Sequence, residues 1–318
     1  MIEAGQPSRN ACMSLKTRRA LLKDAAVASA ALLMGGCEAA HRRGDADQAE
    51  SGGPPAEVCW ALVADTHVNP SAEATERGQN MHDNFRAVVR DALQPHRKIA
   101  GMIINGDIAH RRGDSGAYRL ILELLAPVRR SGIDLRLAMG NHDNRDHFLS
   151  AFPDEQQRPP HVAAKHVEAF NTGPVRMIVL DSLIRPNHTP GELGVEQLHW
   201  LGSTLDAQPR IPTLLFVHHD LGESGGSLQD TPALIELITP RRQVKAVFQG
   251  HNHEYSFREV EGVHLVKMPA TSYVFGPDKP LGWLQATIKP DSCELLLRVL
   301  SADGIADGGT RVLQWRAG

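Results

Sequence analysis

Five apolar runs in this chain each give way to an aspartate, a histidine or an asparagine. Val58–Ala64 is followed by Asp65 and His67, and Ile99–Asn105 by Gly106 and Asp107. Leu135–Met139 leads into Gly140-Asn141-His142-Asp143, Thr213–Val217 into His218-His219, and Val244–Gln249 into Gly250-His251-Asn252-His253. Short continuous apolar runs bounded by Gly and polar residues read as strands buried on both faces. Between them the spacing turns helical. Met81, Phe85, Val88, Val89 and Ala92 mark a helix over 80–93, and further helices are expected over 116–130, 194–205 and 233–238. Another strand, Val175–Leu180, runs into Asp181. After Gly250 the helices stop, and strands are expected over 255–260, 263–268, 283–288, 294–300 and 311–315, read as antiparallel. Alternation that gives way to successive strands predicts one α/β layered domain with two packed sheets over residues 57–318.

The polar strand ends carry the chemistry. In α/β sheets the carboxyl ends of the strands form the ligand crevice, and Asp65, His67, Asp107, Asn141, His142, His218, His251 and His253 all fall there. A lone histidine at a strand end is ordinarily a loop residue; this many at successive strand ends is not explained that way. Asp and His suit Fe, Zn, Mn or Co. One carboxylate, Asp107, can bridge two ions, and Asn141 offers a neutral carbonyl oxygen. Two ions about 3.5–4 Å apart can clamp both the attacking and the phosphoryl oxygens of a phosphate ester, with a water of lowered pKa as nucleophile.

In order, Asp65-Thr66-His67, Gly106-Asp107, Gly140-Asn141-His142-Asp143, His218 and Gly250-His251-Asn252-His253 resemble the signature of the calcineurin-like metallophosphoesterases, over roughly 58–315. The resemblance implies a four-layer α-β-β-α sandwich and a binuclear centre of divalent or trivalent ions. Asp65, His67, Asp107 and His253 would hold the first ion; Asp107, Asn141, His218 and His251 would hold the second. His142 would stand beside the leaving group as a catalytic residue, and a metal-bound hydroxide would attack phosphorus without a covalent enzyme intermediate. The segment from Gly140 to Phe148 with Phe152, and the paired histidines, look most like the cyclic-nucleotide and glycerophosphodiester phosphodiesterase branch, which implies a small-molecule phosphodiester as substrate. The alternatives are a phosphomonoesterase using the same site, or a non-catalytic lipid-anchored envelope protein that keeps its metals for structure.

Two positions depart from the family pattern. His110 stands where many relatives carry an aspartate that orients the catalytic histidine, so that either Asp143 or another acid takes over that task or the transition-state role of His142 is weaker. Asp220-Leu221 follows the paired histidines where many relatives carry two prolines. Asn69, Asn144, Arg145 and His188 are candidate pocket residues, and the 145–165 stretch is expected as a loop or small cap over the site.

The N-terminal segment reads differently. Lys16-Thr17-Arg18-Arg19 precedes an Ala-rich apolar run that ends in Met34-Gly35-Gly36-Cys37. A basic n-region, a run too short to span a bilayer and small residues at its end are the marks of an export signal. The adjacent arginines look like a twin-arginine signal, and the end resembles a bacterial lipobox with Cys37 as the lipidated residue. Residues 1–37 are therefore expected to direct export to the periplasmic side of a bacterial inner membrane, with Cys37 as a membrane lipid anchor. Residues 38–56, polar and closed by Gly52-Gly53-Pro54-Pro55, read as a flexible tether. The formal net charge is −3 with no long basic block, which points away from nucleic acid.

Overall fold

The computed structural model describes residues 56–156 and 161–318. The export signal over 1–37, with Cys37, lies outside the described residues, as does the tether apart from Ala56. Among the described residues no helix is long and apolar enough to cross a membrane.

The chain runs β1 (Val58–Val63), β2 (Thr75–Glu76), β3 (Gln79–Asn80), α1 (Met81–Ala92), β4 (Gly101–Asn105), α2 (Ser115–Ser131), β5 (Asp134–Ala138), α3 (Arg145–Ala151) and α4 (Pro153–Gln156). It continues with β6 (Glu168–Thr172), β7 (Val175–Val179), α5 (Val195–Asp206), β8 (Thr213–Val217), α6 (Thr231–Ile238) and β9 (Val244–Gln249). The last five strands are β10 (Ser256–Val260), β11 (Val263–Lys267), β12 (Gly282–Ile288), β13 (Ser292–Ser301) and β14 (Gly304–Gln314).

Two six-stranded sheets result, ordered β14-β13-β12-β1-β4-β5 and β10-β11-β9-β8-β7-β6. Both are mixed. The runs β1-β4-β5 and β7-β8-β9-β11 are parallel, and β12, β13, β14, β10 and β6 pair antiparallel. Because side chains alternate along a strand, each central strand feeds two cores. Trp60, Leu62, Ile103, Leu214, Phe216, Ala246 and Phe248 fill the space between the sheets. Ala61, Val63, Met102 and Ile104 face the other way, onto Phe85, Tyr118, Ile121, Leu125 and Phe148 from α1, α2 and α3. Leu215, Val217 and Val247 likewise meet Leu201, Leu205, Leu234 and Ile238 from α5 and α6. The layers are helix, sheet, sheet, helix, the sandwich expected from the resemblance, and burial on both faces is why these strands have no polar alternation.

The structure corrects the strand reading in three places. β11 pairs antiparallel with β10 as expected, but its other neighbour is β9, to which it is parallel, and the series continues from β12 in the other sheet. β6 was not expected; it is an edge strand of mixed sequence that pairs with β7. β14 starts at Gly304, well before Arg311: Gly308-Gly309 fall where its register with β13 shifts, between the Asp307–Arg298 and Thr310–Leu296 pairs, and such a glycine pair reads as a loop in the sequence. The stretch expected as a loop or cap instead opens with α3, whose N-cap Asn144 accepts hydrogen bonds from the Asp146 and His147 amides.

Phe216 is fully buried between the sheets and stacks on Phe248 with ring centroids 5.0 Å apart. Phe216→Ala is expected to destabilise the fold by about 3–5 kcal/mol through lost burial and the cavity left behind, read as a shift in the midpoint of chemical denaturation.

Candidate metal centre

The carboxyl ends of β1, β4 and β5 meet those of β8 and β9 at one end of the sandwich. Asn105, the last residue of β4, joins the two sheets there: its amide nitrogen donates to the carbonyls of Val217 (3.3 Å) and Phe248 (3.1 Å). The loops after β1 and β4 are zipped together, with the amides of Asp65 and His67 donating to the carbonyls of Gly106 and Asp107.

Two glycines let these ends come so close. A Cβ on Gly106 would stand 2.5 Å from the His218 ring, and one on Gly140 would stand 2.2 Å from the Asp107 backbone and carboxylate. Real Cβ atoms do not tolerate such contacts, which gives the Gly-Asp and Gly-Asn-His pairs a steric reason. Asp65, His67, Asp107, His251 and His253 all hold positive φ, between 42° and 73°, a region costly for residues with a Cβ and concentrated at functional sites.

The expected ligand set converges. Asp65, His67 and His253 form one group and Asp107, His218 and His251 a second, each with its ligand atoms within 4.8 Å of one another. His67 Nε2 is 3.1 Å from His253 Nε2 and 3.5 Å from Asp107 Oδ2; His218 Nε2 is 3.2 Å from the same Asp107 oxygen. Asp107 thus lies between the groups. Asn141 Oδ1 approaches His251 Nδ1 to 2.9 Å, and His142 Nε2 is 4.0 Å from Asp107 Oδ2. Two imidazole nitrogens turned on each other beside buried carboxylate oxygens fit cations: oxygen and nitrogen donors of this kind suit Zn, Fe, Mn or Co. The protein therefore carries a binuclear centre of His and Asp residues.

The electrostatics prepare these groups as ligands. Burial is the leading influence on each. It holds His67 well below its usual pKa and pushes His251 and His253 down to about 4, so the three rings are neutral with free lone pairs. Burial also drives Asp65 up to about 7, against the pull of His218. At Asp107 burial is outweighed by His218, His142 and His67, and the carboxyl stays well below the ordinary range. At His218 burial is outweighed by Asp107, which lifts it to about 10.

Backbone carbonyls aim the rings. Nδ1 of His142, His218 and His253 lies 2.7, 2.9 and 2.6 Å from the carbonyls of Arg111, Asn105 and Tyr273. A carbonyl can only accept, so Nδ1 carries the proton and Nε2 is left for the site. None of these partners was legible in the sequence, since a carbonyl leaves no mark on residue type.

His219, adjacent to His218, packs against the His251 ring, 4.7 Å between centroids, with its Nδ1 2.8 Å from Ser182 Oγ. Asp143 does not orient His142. Its buried carboxylate accepts from the amides of Ile108, Ala109 and Gly140 and from Tyr118 Oη, and so braces the Asp107 loop. His110 stands edge-on to His67, 5.8 Å between centroids. Of the other candidate pocket residues, Arg145 pairs with buried Asp181, Asn144 caps α3, Asn69 accepts from the Ser71 amide and His188 lies 3.4 Å from Arg185. A cleft of about 500 Å³ opens over the ligands, rimmed by Thr189, Asn252, Glu254, Tyr273 and Phe275. A second cavity of about 520 Å³ adjoins α3, and none of the ligand set lines it.

The sequence profile described as calcineurin-like phosphoesterase matches residues 61–255, a span holding the whole ligand set. The chain belongs to that family. This calcineurin-like phosphoesterase is 27% identical over 222 residues to the 3′,5′-cyclic adenosine monophosphate phosphodiesterase CpdA of Haemophilus influenzae, covering 68% of this chain and 77% of that protein. It is 31% identical over 218 residues to a probable cyclic nucleotide phosphodiesterase of Rhodopseudomonas palustris, covering 64% of this chain and 73% of the relative. Among solved structures its fold is similar to that of a dimetal phosphatase from Danio rerio (TM-score 0.64, 15% identity, 81% of this chain and 99% of the other). The purple acid phosphatase of yellow lupin seeds is also similar (TM-score 0.59, 15% identity, 81% and 54%). The calcineurin-like phosphoesterase fold and the His/Asp clusters together make this protein a metal-dependent hydrolase.

Protons and metal compete for Asp65 and His218, whose metal-free pKa values stand at about 7 and about 10. Metal binding must expel those protons, so apparent affinity for Zn or Mn is expected to rise with pH through neutrality. Calorimetric titration in buffers of differing ionisation enthalpy checks this through the protons released.

Proposed function

We propose that the protein cleaves a small-molecule phosphodiester at this centre. Asp65, His67, Asp107 and His253 would hold one cation, and Asp107, Asn141, His218 and His251 would hold the other. The bound cations supply a water of lowered pKa and neutralise phosphoryl oxygens. The chain's own part is to fix the donor atoms and to place His142. Its Nδ1–H is tied to the Arg111 carbonyl, and its Nε2 faces the cleft 4.0 Å from Asp107. There, when Nε2 also carries a proton, the imidazolium donates it to the leaving-group oxygen or stabilises the charge that develops on it.

The observation that favours a diester is the charge of the cleft. Among the described residues its lining contains no lysine or arginine, Arg77 standing at its rim against Phe275, and the rim carboxylate Glu254 is already held by Lys267 (3.2 Å) and Lys279 (3.6 Å). Such a cleft suits a monoanionic diester better than a dianionic monoester. The names of the cyclic-nucleotide phosphodiesterase relatives support the same reading. A phosphomonoesterase is the alternative for this site, and a silent metal-binding envelope protein is disfavoured by the presence of both Asp107 and Asn141.

Purified protein reconstituted with Mn, Zn or Fe is expected to hydrolyse an aryl phosphodiester faster than the matching monoester; the reverse order would assign a phosphatase. Asn141→Ala and His218→Ala are each expected to lower turnover at least about 10-fold, with loss of one metal equivalent. Unchanged turnover and metal content in both variants would remove the ligand assignment.

We also propose that residues 1–37 direct export and that Cys37 anchors the protein by lipid on the periplasmic side of the inner membrane, a reading supported by the basic n-region, the adjacent arginines and the lipobox-like end. Mass analysis of membrane-extracted protein is expected to find a lipidated N-terminal Cys37; a chain retaining the segment before it would refute the anchor.

A further inference from the structure

At the rim of the cleft one aromatic side chain is left in water. Among the described residues the large apolar side chains standing most exposed are Val195, Phe275 and Val312, and Phe275 is the aromatic one, with 55% of its surface accessible. Val195 and Val312 lie outside the cleft lining; Phe275 belongs to it. The Phe275 ring lies 4.7 Å from the ring of His253 and 5.8 Å from that of Tyr273.

Its place is fixed. The loop between β11 and β12 is pinned to the end of β1 through the Thr271 and Ser272 amides, which donate to the carbonyls of Ala64 and Asp65. It is pinned again at Tyr273, whose carbonyl accepts from His253. Phe275 therefore projects from a segment that is itself part of the metal-site scaffold, two residues beyond the last anchor.

A cation is delivered to the same ring. β2 and β3 form a hairpin whose two turn residues, Arg77 (φ 50°) and Gly78 (φ 78°), both adopt positive φ, as a tight primed turn requires. That turn places the Arg77 guanidinium 4.7 Å from the Phe275 centroid. Arg77 is exposed and makes no ion pair among the described residues; the carboxylate of its neighbour Glu76 leans instead toward Arg111 and His110. An exposed ring and an uncommitted guanidinium plane side by side are the two surfaces on which proteins stack nucleobases and other flat groups.

We propose that Phe275, with Arg77 beside it, is the specificity-determining subsite for a planar aromatic group of the substrate, so that the ester class is nucleoside or aryl phosphate esters rather than alkyl or glycerol ones. This rests on the phosphodiesterase reading of the adjoining centre, but the subsite binds the organic group whichever phosphoester is cleaved. The phosphoryl group is held at the centre and the flat group lies on the Phe275 face, with Arg77 stacked beside it or displaced by it. An apolar contact made outside the reacting atoms sorts substrates by their organic part and leaves the phosphoryl chemistry to the centre.

The test is binding, so that it does not depend on turnover. Metal-loaded full-length protein is titrated with adenosine 5′-monophosphate and with ribose 5-phosphate, which carries the same phosphate and sugar without the base. The wild type is expected to bind the nucleotide about 10-fold more tightly, of the size a single base-stacking contact gives. Phe275→Ala is expected to bring the ratio of the two affinities to within about 2-fold, and Phe275→Trp to restore or exceed it. Circular dichroism and metal content of each variant confirm that fold and centre are intact. Equal affinity for the two ligands in the wild type, or a ratio that survives Phe275→Ala, would overturn the subsite. Hydrolysis of adenosine 3′,5′-cyclic monophosphate and of adenosine 5′-monophosphate by the same preparation judges the phosphodiesterase reading separately. A Phe275-dependent affinity ratio with cleavage of the monoester alone would keep the subsite and discard the diester.

Discussion

Two carboxylates buried between the ends of two sheets set the terms for this end of the molecule. Removing a carboxylate from water is unfavourable unless other charges and donors compensate it. Asp107 is compensated by His218, His142 and His67, and Asp65 by the His251 amide and His218. The compensation is incomplete within the protein: Asp65 is still driven up to about 7, while three neighbouring imidazoles are kept neutral by burial. A cluster with buried anionic oxygens and neutral nitrogen lone pairs directed at one another is poised to take up cations. Metal binding and the stability of this end of the sandwich are therefore expected to be linked.

Holding those groups together requires backbone that most sequences would avoid. Five of the ligand candidates sit at positive φ, and Gly106 and Gly140 are needed where a Cβ would collide with His218 or Asp107. Hydrogen bonds brace this geometry from behind. Asp143 gathers the amides of Ile108, Ala109 and Gly140 together with the Tyr118 hydroxyl, and Asn105 links the ends of β4, β8 and β9. These residues contact no reacting group, yet they hold the left-handed loop geometry in place.

The centre and its rim divide the work of recognition. Strand ends carry the clustered His and Asp side chains, on a sheet architecture similar to that of the Danio rerio dimetal phosphatase. The rim is built from the segment after β9, the loop before β12 and the segment around Thr189, with Arg77 of the β2–β3 hairpin against Phe275, where side chains can vary without disturbing the cores. Phe275 and Arg77 belong to that second layer of choice.

The sequence by itself determined the strand ends on which chemistry falls. Runs such as Val58–Ala64 and Thr213–Val217 are apolar throughout because both faces of each strand are buried, and the polar residues that follow therefore stand out. The motif glycines were visible for the same reason, being fixed by steric contact. What the sequence did not carry lies in groups that residue type does not encode or that meet across long separations. The Arg111, Asn105 and Tyr273 carbonyls aim three histidines. Arg145 is taken from the pocket by Asp181, Asp143 is spent on bracing the Asp107 loop, and edge strand β6 and the first part of β14 escaped a reading based on burial. The parallel pairing of β11 with β9, and the approach of Arg77 to Phe275 across nearly two hundred residues, were decided by tertiary packing. Register and side-chain neighbours depend on how the two sheets close on each other, and that closure is a property of the whole chain rather than of any segment.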